Sequence, residues 1–209
     1  MTEFWEFSFQ DKQTMWGFEA ADAAIDAANF FQQKGLKKIL IPGFGYGRNA
    51  KVFTDQGMEV RGIEISQTAI ELARKHYGGS VKVYHGGVGE MPFDDDIYEG
   101  IFCYALIHLL DEKERTKLIE DCYAQLKTGA YMYFVAISTA DPAYGRGELI
   151  SKNRYLTRHG VKLYFYDDEA ISQEFGNYGL LEAKEISEPA QVREGKPSQK
   201  FWKVICKKG

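Results

Sequence analysis

No hydrophobic run in this 209-residue chain reaches the roughly 18 apolar residues that a bilayer-spanning helix needs; stretches such as Ala130 to Ile137 stop well short. The acidic, polar start MTEFWEFSFQDK also lacks the basic region of a secretory signal. Cysteine is scarce. Cys103, Cys122 and Cys206 are odd in number, far apart and without a C-x-x-C pair, which argues against a disulfide framework and a zinc site. His76, His85 and His159 show no metal-ligand spacing, so no metal is expected. Neither charge dominates: 26 basic and 30 acidic side chains leave a net charge of −4, with no global pull toward nucleic acid or anionic lipid. These absences predict a soluble protein of the reducing cytoplasm without a membrane or nucleic-acid partner, and leave open a monomer or a homodimer.

Aromatic residues are plentiful, at 14% of the chain. Most are expected to fill the core, as aromatics do in general. No repeat, low-complexity tract or Pro/Ser linker divides the sequence, and at roughly 150 residues per domain its length suits a single domain over 1–209. The rhythm is strand then helix. Ala24, Ala27, Ala28 and Phe31 recur at helical spacing within Ala20 to Lys34, with Gly35 as a stop. The run Lys37 to Ile41 is β-rich, Arg48 to Gln56 is helical, Met58 to Ile65 is a second strand, and Ser66 caps a helix over Thr68 to Tyr77. The alternation continues with strand Val81 to His85, strand Ile97 to Cys103, helix Glu112 to Leu126 and strand Tyr131 to Ile137. After residue 138 the rhythm changes. A hairpin around Gly160, a helix over Asp167 to Phe175 and two closing strands, Leu180 to Ile186 and Phe201 to Cys206, follow. The pattern predicts an α/β, Rossmann-like, doubly wound and mostly parallel sheet of seven strands with an antiparallel edge strand and helices on both faces. Residues 20–137 form its ligand-binding core, 1–19 precede it, 138–166 are an insertion and 167–209 close the domain.

The most informative segment runs from Ile39 through Pro42-Gly43-Phe44-Gly45-Tyr46-Gly47-Arg48-Asn49, a buried strand that breaks into glycines and then opens a helix. Glycines let the backbone turn sharply and let a ligand approach where a Cβ would collide. Glu64, 21 residues after Gly43 at the end of the second strand, is placed to accept hydrogen bonds from both hydroxyls of a ribose. Together they point to a nucleotide-type ligand. A pyrophosphate cradle wants G-x-G-x-x-G, whereas the sixth position here is the bulky Arg48, which disfavours NAD(P) or FAD. An NAD(P)-dependent oxidoreductase and a non-catalytic nucleoside-binding module remain as alternative readings.

Leu40 to Asn49 resembles the first motif of the class I S-adenosylmethionine-dependent methyltransferases, and Val60 to Ser66 resembles their second-strand motif with its ribose-binding acid. Gly86-Gly87-Val88-Gly89-Glu90-Met91-Pro92-Phe93 is similar to their G-D-A-x-x-L-P-F segment, Ile101 to Leu110 to the fourth-strand motif, and Leu126-Lys127-Thr128-Gly129-Ala130 to the L-K-P-G-G turn. The sequence departs from the family where Pro42 and Gly87 stand in places often held by Asp, and where Thr128 and Ala130 replace Pro and Gly. With Gly87, adenine recognition falls to backbone groups around Val88 and Gly89.

The resemblance implies S-adenosyl-L-methionine as cofactor, S-adenosyl-L-homocysteine as product and a small-molecule acceptor. It implies a cofactor site of Gly43, Phe44, Gly45, Gly47, Asn49, Glu64, Ile65, Gly87, Val88, Gly89, Cys103 and Tyr104. Because the methyl group is already activated, holding the acceptor in line and excluding water is the protein's main task. His108, just past the fourth strand, is the candidate general base. The aromatic segment before the fold, with Trp5 and Trp16, is similar to the N-terminal lid of small-molecule methyltransferases of the thiopurine and tellurite-resistance type. Trp16 of that lid, with Tyr144, Tyr155 and Arg158 of the insertion, is the expected substrate side.

Overall fold

The computed structural model describes residues 2–79, 81–191 and 198–209. Its strands are β1 (Lys38–Pro42), β2 (Glu59–Glu64), β3 (Lys82–His85), β4 (Tyr98–Tyr104), β5 (Leu126–Ile137), β6 (Glu148–Ser151), β7 (Arg154–Leu156), β8 (Lys162–Tyr164), β9 (Leu180–Glu188) and β10 (Gln199–Lys207). Its helices are α1 (Thr2–Lys12), α2 (Asp22–Gln33), α3 (Ala50–Asp55), α4 (Gln67–Tyr77), α5 (Glu112–Ala124) and α6 (Asp168–Phe175). Seven strands form the main sheet in the order β3-β2-β1-β4-β5-β10-β9. β1 to β5 pair in parallel; β10 is antiparallel to both β5 and β9 and so is the one reversed strand, next to the edge. The doubly wound architecture expected from the strand-helix rhythm is thus present.

Strand alternation explains why both faces are covered. Ile39, Ile41, Phe102, Tyr133 and Val135 point to one side and pack with Ala24, Ala27, Ala28 and Phe31 of α2 and Phe53 of α3. Leu40, Ile101, Cys103, Met132 and Phe134 point to the other and meet Leu118, Ile119 and Cys122 of α5 and Ile171 and Phe175 of α6. All three cysteines are buried here as free thiols. Truncating a buried Phe such as Phe31 would cost about 3–5 kcal/mol.

Three features depart from the sequence expectation. Residues 2–12, which carry no helical apolar stripe, form α1, because Trp5 and Phe9 dock beside Ala69 and Leu72 of α4 while Phe7 stays 66% exposed. α3 starts at Ala50, two residues after Arg48, since the glycine loop is not yet wound there. The 138–166 insertion is a separate three-stranded antiparallel sheet, β6-β7-β8, in which the hairpin around Gly160 gains a strand that the sequence pattern did not reveal.

Candidate functional site

The chain leaves β1, β2 and β4 side by side at their carboxyl ends, and β1 and β4 flank the point where the winding reverses. Open α/β sheets bind ligands in the crevice at that switch point. The glycine loop lies there. Gly43, Gly45 and Gly47 have φ of +71°, +58° and +86°, the left-handed region that favours glycine. A Cβ on Gly45 would meet nothing within 4 Å, so this backbone faces open space. Below it, Gly43 and Phe44 donate their N–H groups to the Ile63 carbonyl at 2.9 Å each, which ties the loop to β2. Phe44 then packs against Gly62, where a Cβ would come within 2.4 Å of the ring.

Glu64 ends β2 and is buried. Its Oε2 accepts the Gly45 N–H at 2.7 Å and its Oε1 the Ser66 N–H at 2.9 Å. Burial pushes this carboxyl above its usual range, opposed by the N–H groups of Ser66 and Gly45. Each oxygen has so far taken one donor, and a carboxylate offers about four lone-pair sites, so two acceptor positions are left. A vicinal diol supplies two donors. The donor and acceptor set therefore fits the ribose of a nucleoside.

The remaining expected cofactor residues surround this pair unequally. The Gly87 N–H donates to Glu90 Oε1 at 2.8 Å, opening a turn over Val88–Glu90, and the Ile65 side chain reaches within 3.6 Å of a Cβ built on Gly87. Gly89, like Gly45, would point a Cβ at nothing within 4 Å. Asn49 turns elsewhere: its Oδ1 accepts the Ala21 N–H at 3.0 Å, just ahead of α2. The Cys103 thiol points into the α5-side core, so only backbone of Cys103 can face a ligand. Tyr104 closes β4 between the rings of Phe102 and Phe201. Burial pushes its phenol well above the ordinary range, with Glu188 adding to the effect and the Arg48 guanidinium opposing it. The phenol stays protonated at neutral pH.

His108 does not have the environment of a base. It is buried, its Nδ1 accepts the Ile137 N–H at 3.1 Å, and burial lowers its pKa to about 3. With Nδ1 engaged, the neutral ring carries its proton on Nε2. It ties the segment after β4 to β5.

The N-terminal segment covers the glycine loop. Trp16 stacks on Tyr46 with ring planes 10° apart, and the Tyr46 hydroxyl donates to the Gly17 carbonyl at 2.6 Å. Arg48 Nη1 donates to the Glu19 carbonyl at 2.9 Å. Glu6 on α1 accepts from Ser66 Oγ at 2.6 Å and from Thr68 N at 3.3 Å, at the start of α4. The hydrogen bonds from Ser66 and Thr68 lower its pKa to about 2. Glu6, Tyr46 and Arg48 were not legible as partners of this site. Their only sequence signal was proximity to the glycines or to Trp5. On the insertion, Tyr144 and Tyr155 pack edge-to-face with each other and with Phe165, and Tyr144 donates to Asn153 Oδ1 at 2.9 Å. Arg158 is exposed at the β7–β8 turn against His159. Among the described residues no group of three or more His, Cys, Asp or Glu side chains could hold a metal ion. No described helix is long and apolar enough to cross a membrane.

The sequence model of the methyltransferase domain matches residues 39–129, from β1 through the glycine loop, Glu64 and the β4 end to the start of β5. Over this stretch the chain is similar to the methyltransferase-domain family. A tRNA N(3)-cytidine methyltransferase, METTL2 of Danio rerio, is 25% identical over 187 residues, 81% of this chain and 53% of the relative. The chain thus spans about half the length of the tRNA methyltransferase relatives it matches. Thiocyanate methyltransferase 1 of Brassica oleracea is 24% identical over 208 residues, 96% of this chain and 84% of the relative. The crystal structure of a Burkholderia thailandensis 1,6-didemethyltoxoflavin-N1-methyltransferase with S-adenosylhomocysteine bound shares the fold, with a TM-score of 0.73 at 15% identity, covering 99% of this chain and 87% of that one.

Proposed function

We propose that this protein transfers the methyl group of S-adenosylmethionine to a small-molecule acceptor. The observation that carries the reading is the joint geometry of the left-handed loop and Glu64, an open backbone beside a carboxylate with two acceptor positions to spare. The bound cofactor supplies a sulfonium methyl group ready for in-line displacement. Glu64 would hold the ribose, Ile65 and the Val88–Glu90 turn the adenine, and Gly43 to Gly47 would let the rest of the cofactor lie against the backbone.

The chain's own contribution is then positioning and exclusion of water. Tyr104, protonated and held by flanking rings, can donate a hydrogen bond at the β4 end. Trp16, 44% exposed and backed by Tyr46, supplies aromatic surface above the loop, where a sulfonium gains cation–π attraction. With His108 neutral and bonded to the backbone, the arrangement suits an acceptor that arrives nucleophilic, as a thiolate, a small anion or an unprotonated amine. The small-molecule reading is supported by the net charge of −4, which gives no attraction to polyphosphate, and by the match over most of the thiocyanate methyltransferase.

Calorimetry with S-adenosylhomocysteine is the first test, followed by methyl transfer to a panel of thiols, thiocyanate, N-heterocycles and tRNA. Absence of binding at millimolar ligand, or unchanged binding in Glu64→Ala, would overturn the cofactor site. Turnover on tRNA with none on small acceptors would overturn the acceptor class.

A further inference from the structure

A cavity of about 570 Å³ opens between α5, α6, the turn Gly176–Tyr178 and the β6-β7-β8 sheet, a volume in the range of small-molecule sites. None of its lining residues belongs to the glycine loop, the ends of β2 and β4 or the Gly87 turn.

The charges on its walls are not equally satisfied. Arg115 of α5 is buried, with Nε and Nη2 donating to Glu174 at 3.0 and 2.8 Å and its guanidinium 3.8 Å from the centre of the Tyr164 ring. The Tyr166 hydroxyl donates to the same carboxylate at 2.8 Å. That cation is compensated and forms a rigid wall. Lys152 pairs with Glu169 at 2.9 Å. Arg154 differs. Among the described residues no side-chain hydrogen bond or ion pair engages its guanidinium, and its Nε is buried without a partner. An unsatisfied buried donor costs about 1–3 kcal/mol, and the rest of the same guanidinium, which lines the cavity, is left to meet an acceptor there.

The β7–β8 register sets Arg154 opposite Tyr164, so both side chains stand on the cavity face of the small sheet. Tyr155 and Leu163, also opposite each other, stand on the other face and pack against the core that holds Tyr104. The lining carries three cations, Arg115, Lys152 and Arg154, against the carboxylates of Glu112 and Glu174. With Arg115 spent on Glu174 and Lys152 on Glu169, Arg154 is the one lining cation without an ion pair among the described residues, and a single guanidinium suits a monoanion better than a dianion such as phosphate. A guanidinium edge matches a planar carboxylate in two parallel hydrogen bonds. Tyr164 and Tyr178 offer aromatic surface beside it.

We propose that this cavity is a second ligand site, separate from methyl transfer, which takes a small aryl carboxylate with its carboxylate on Arg154 and its ring against the two tyrosines. The test is amide NMR of the full chain titrated with benzoate, benzamide and inorganic phosphate. Benzoate should give saturable shifts at Ser151 to Arg154 and at the Gln173 and Asn177 side-chain amides, undiminished by saturating S-adenosylhomocysteine. Benzamide and phosphate should bind at least about tenfold more weakly, and Arg154→Gln should weaken benzoate by at least about tenfold, the scale of one charge-assisted contact. Equal binding of benzamide on the native protein would overturn the proposal without any variant. So would tighter phosphate binding, displacement of benzoate by S-adenosylhomocysteine, no saturable benzoate shift, or unchanged affinity in a folded Arg154→Gln.

Discussion

Replacing Glu64 by Gln keeps the shape of the side chain and removes its charge, which makes it a sharp test of the cofactor site. In the native protein both oxygens accept a backbone N–H, from Gly45 and Ser66, and each keeps a lone pair for the ligand. In the variant, one oxygen becomes an NH2 group that points a donor at a donor. One backbone N–H loses its partner and one ribose hydroxyl loses its acceptor, while the other contact is no longer charge-assisted. Hydrogen bonds to a charged group contribute about 1.5–3 kcal/mol each, so losing one and weakening the second should cost about 3 kcal/mol, or roughly a hundredfold in Kd for S-adenosylhomocysteine. Calorimetry at pH 7.5 measures this directly, and a circular dichroism melt reports separately on the fold. The pH dependence supplies a second arm. Because burial raises the Glu64 pKa, acidification neutralises it above the usual carboxylate range, and native affinity should fall as pH drops toward that region. Affinity in Glu64→Gln should stay flat there. The reasoning is refuted if the folded variant binds within about threefold of the native protein, or if both show the same pH profile.

Gly45→Ala forces a non-glycine residue to φ +58° and puts a methyl group into open space, so it should cost about 1–2 kcal/mol of stability while lowering cofactor affinity at least about tenfold; a melt and calorimetry separate the two. His108→Gln keeps an acceptor for the Ile137 N–H and should leave turnover within about threefold of native, whereas loss of turnover at unchanged stability would restore a base role. The same variant has a signed acid phenotype. Native His108 stays neutral down to about 3 although an unfolded histidine protonates from 6.5, so the native protein loses stability as pH falls through that window and the variant should lose less. Glu6→Gln should speed hydrogen exchange in α1 while leaving the sheet protected. The native latch, present above the ordinary carboxylate range of 4.5, should itself loosen as pH falls from there toward about 2. Trp16→Ala should weaken cofactor or acceptor binding without unfolding the domain, since Trp16 is 44% exposed and its stack on Tyr46 contributes about 0.5–1.5 kcal/mol; a large stability loss alone would show that it only anchors the N-terminus.

The glycine loop and Glu64 were legible because their chemistry is local. A strand that breaks into glycines and a carboxylate closing the next strand lie within some two dozen residues, and parallel pairing of β1 with β2 leaves them little choice but to meet. The alternation of strands and helices was legible for the same reason. What failed was partnership across distance. His108 has the right position for a base, yet its nearest polar partner is the Ile137 N–H, 29 residues on. The aromatics of residues 4–9 show no helical stripe of their own, and only the surface of α4 makes them a helix. Asn49 stands beside the glycines but serves Ala21.

The sequence by itself therefore determined the fold class and the family resemblance, since both rest on periodicity and on motifs a few residues long. The tertiary structure alone decided which side chains are free to act. Whether a polar group is spent on the backbone, as in His108 and Asn49, or left with lone pairs or donors unspent, as in Glu64 and Arg154, depends on neighbours brought together only by packing.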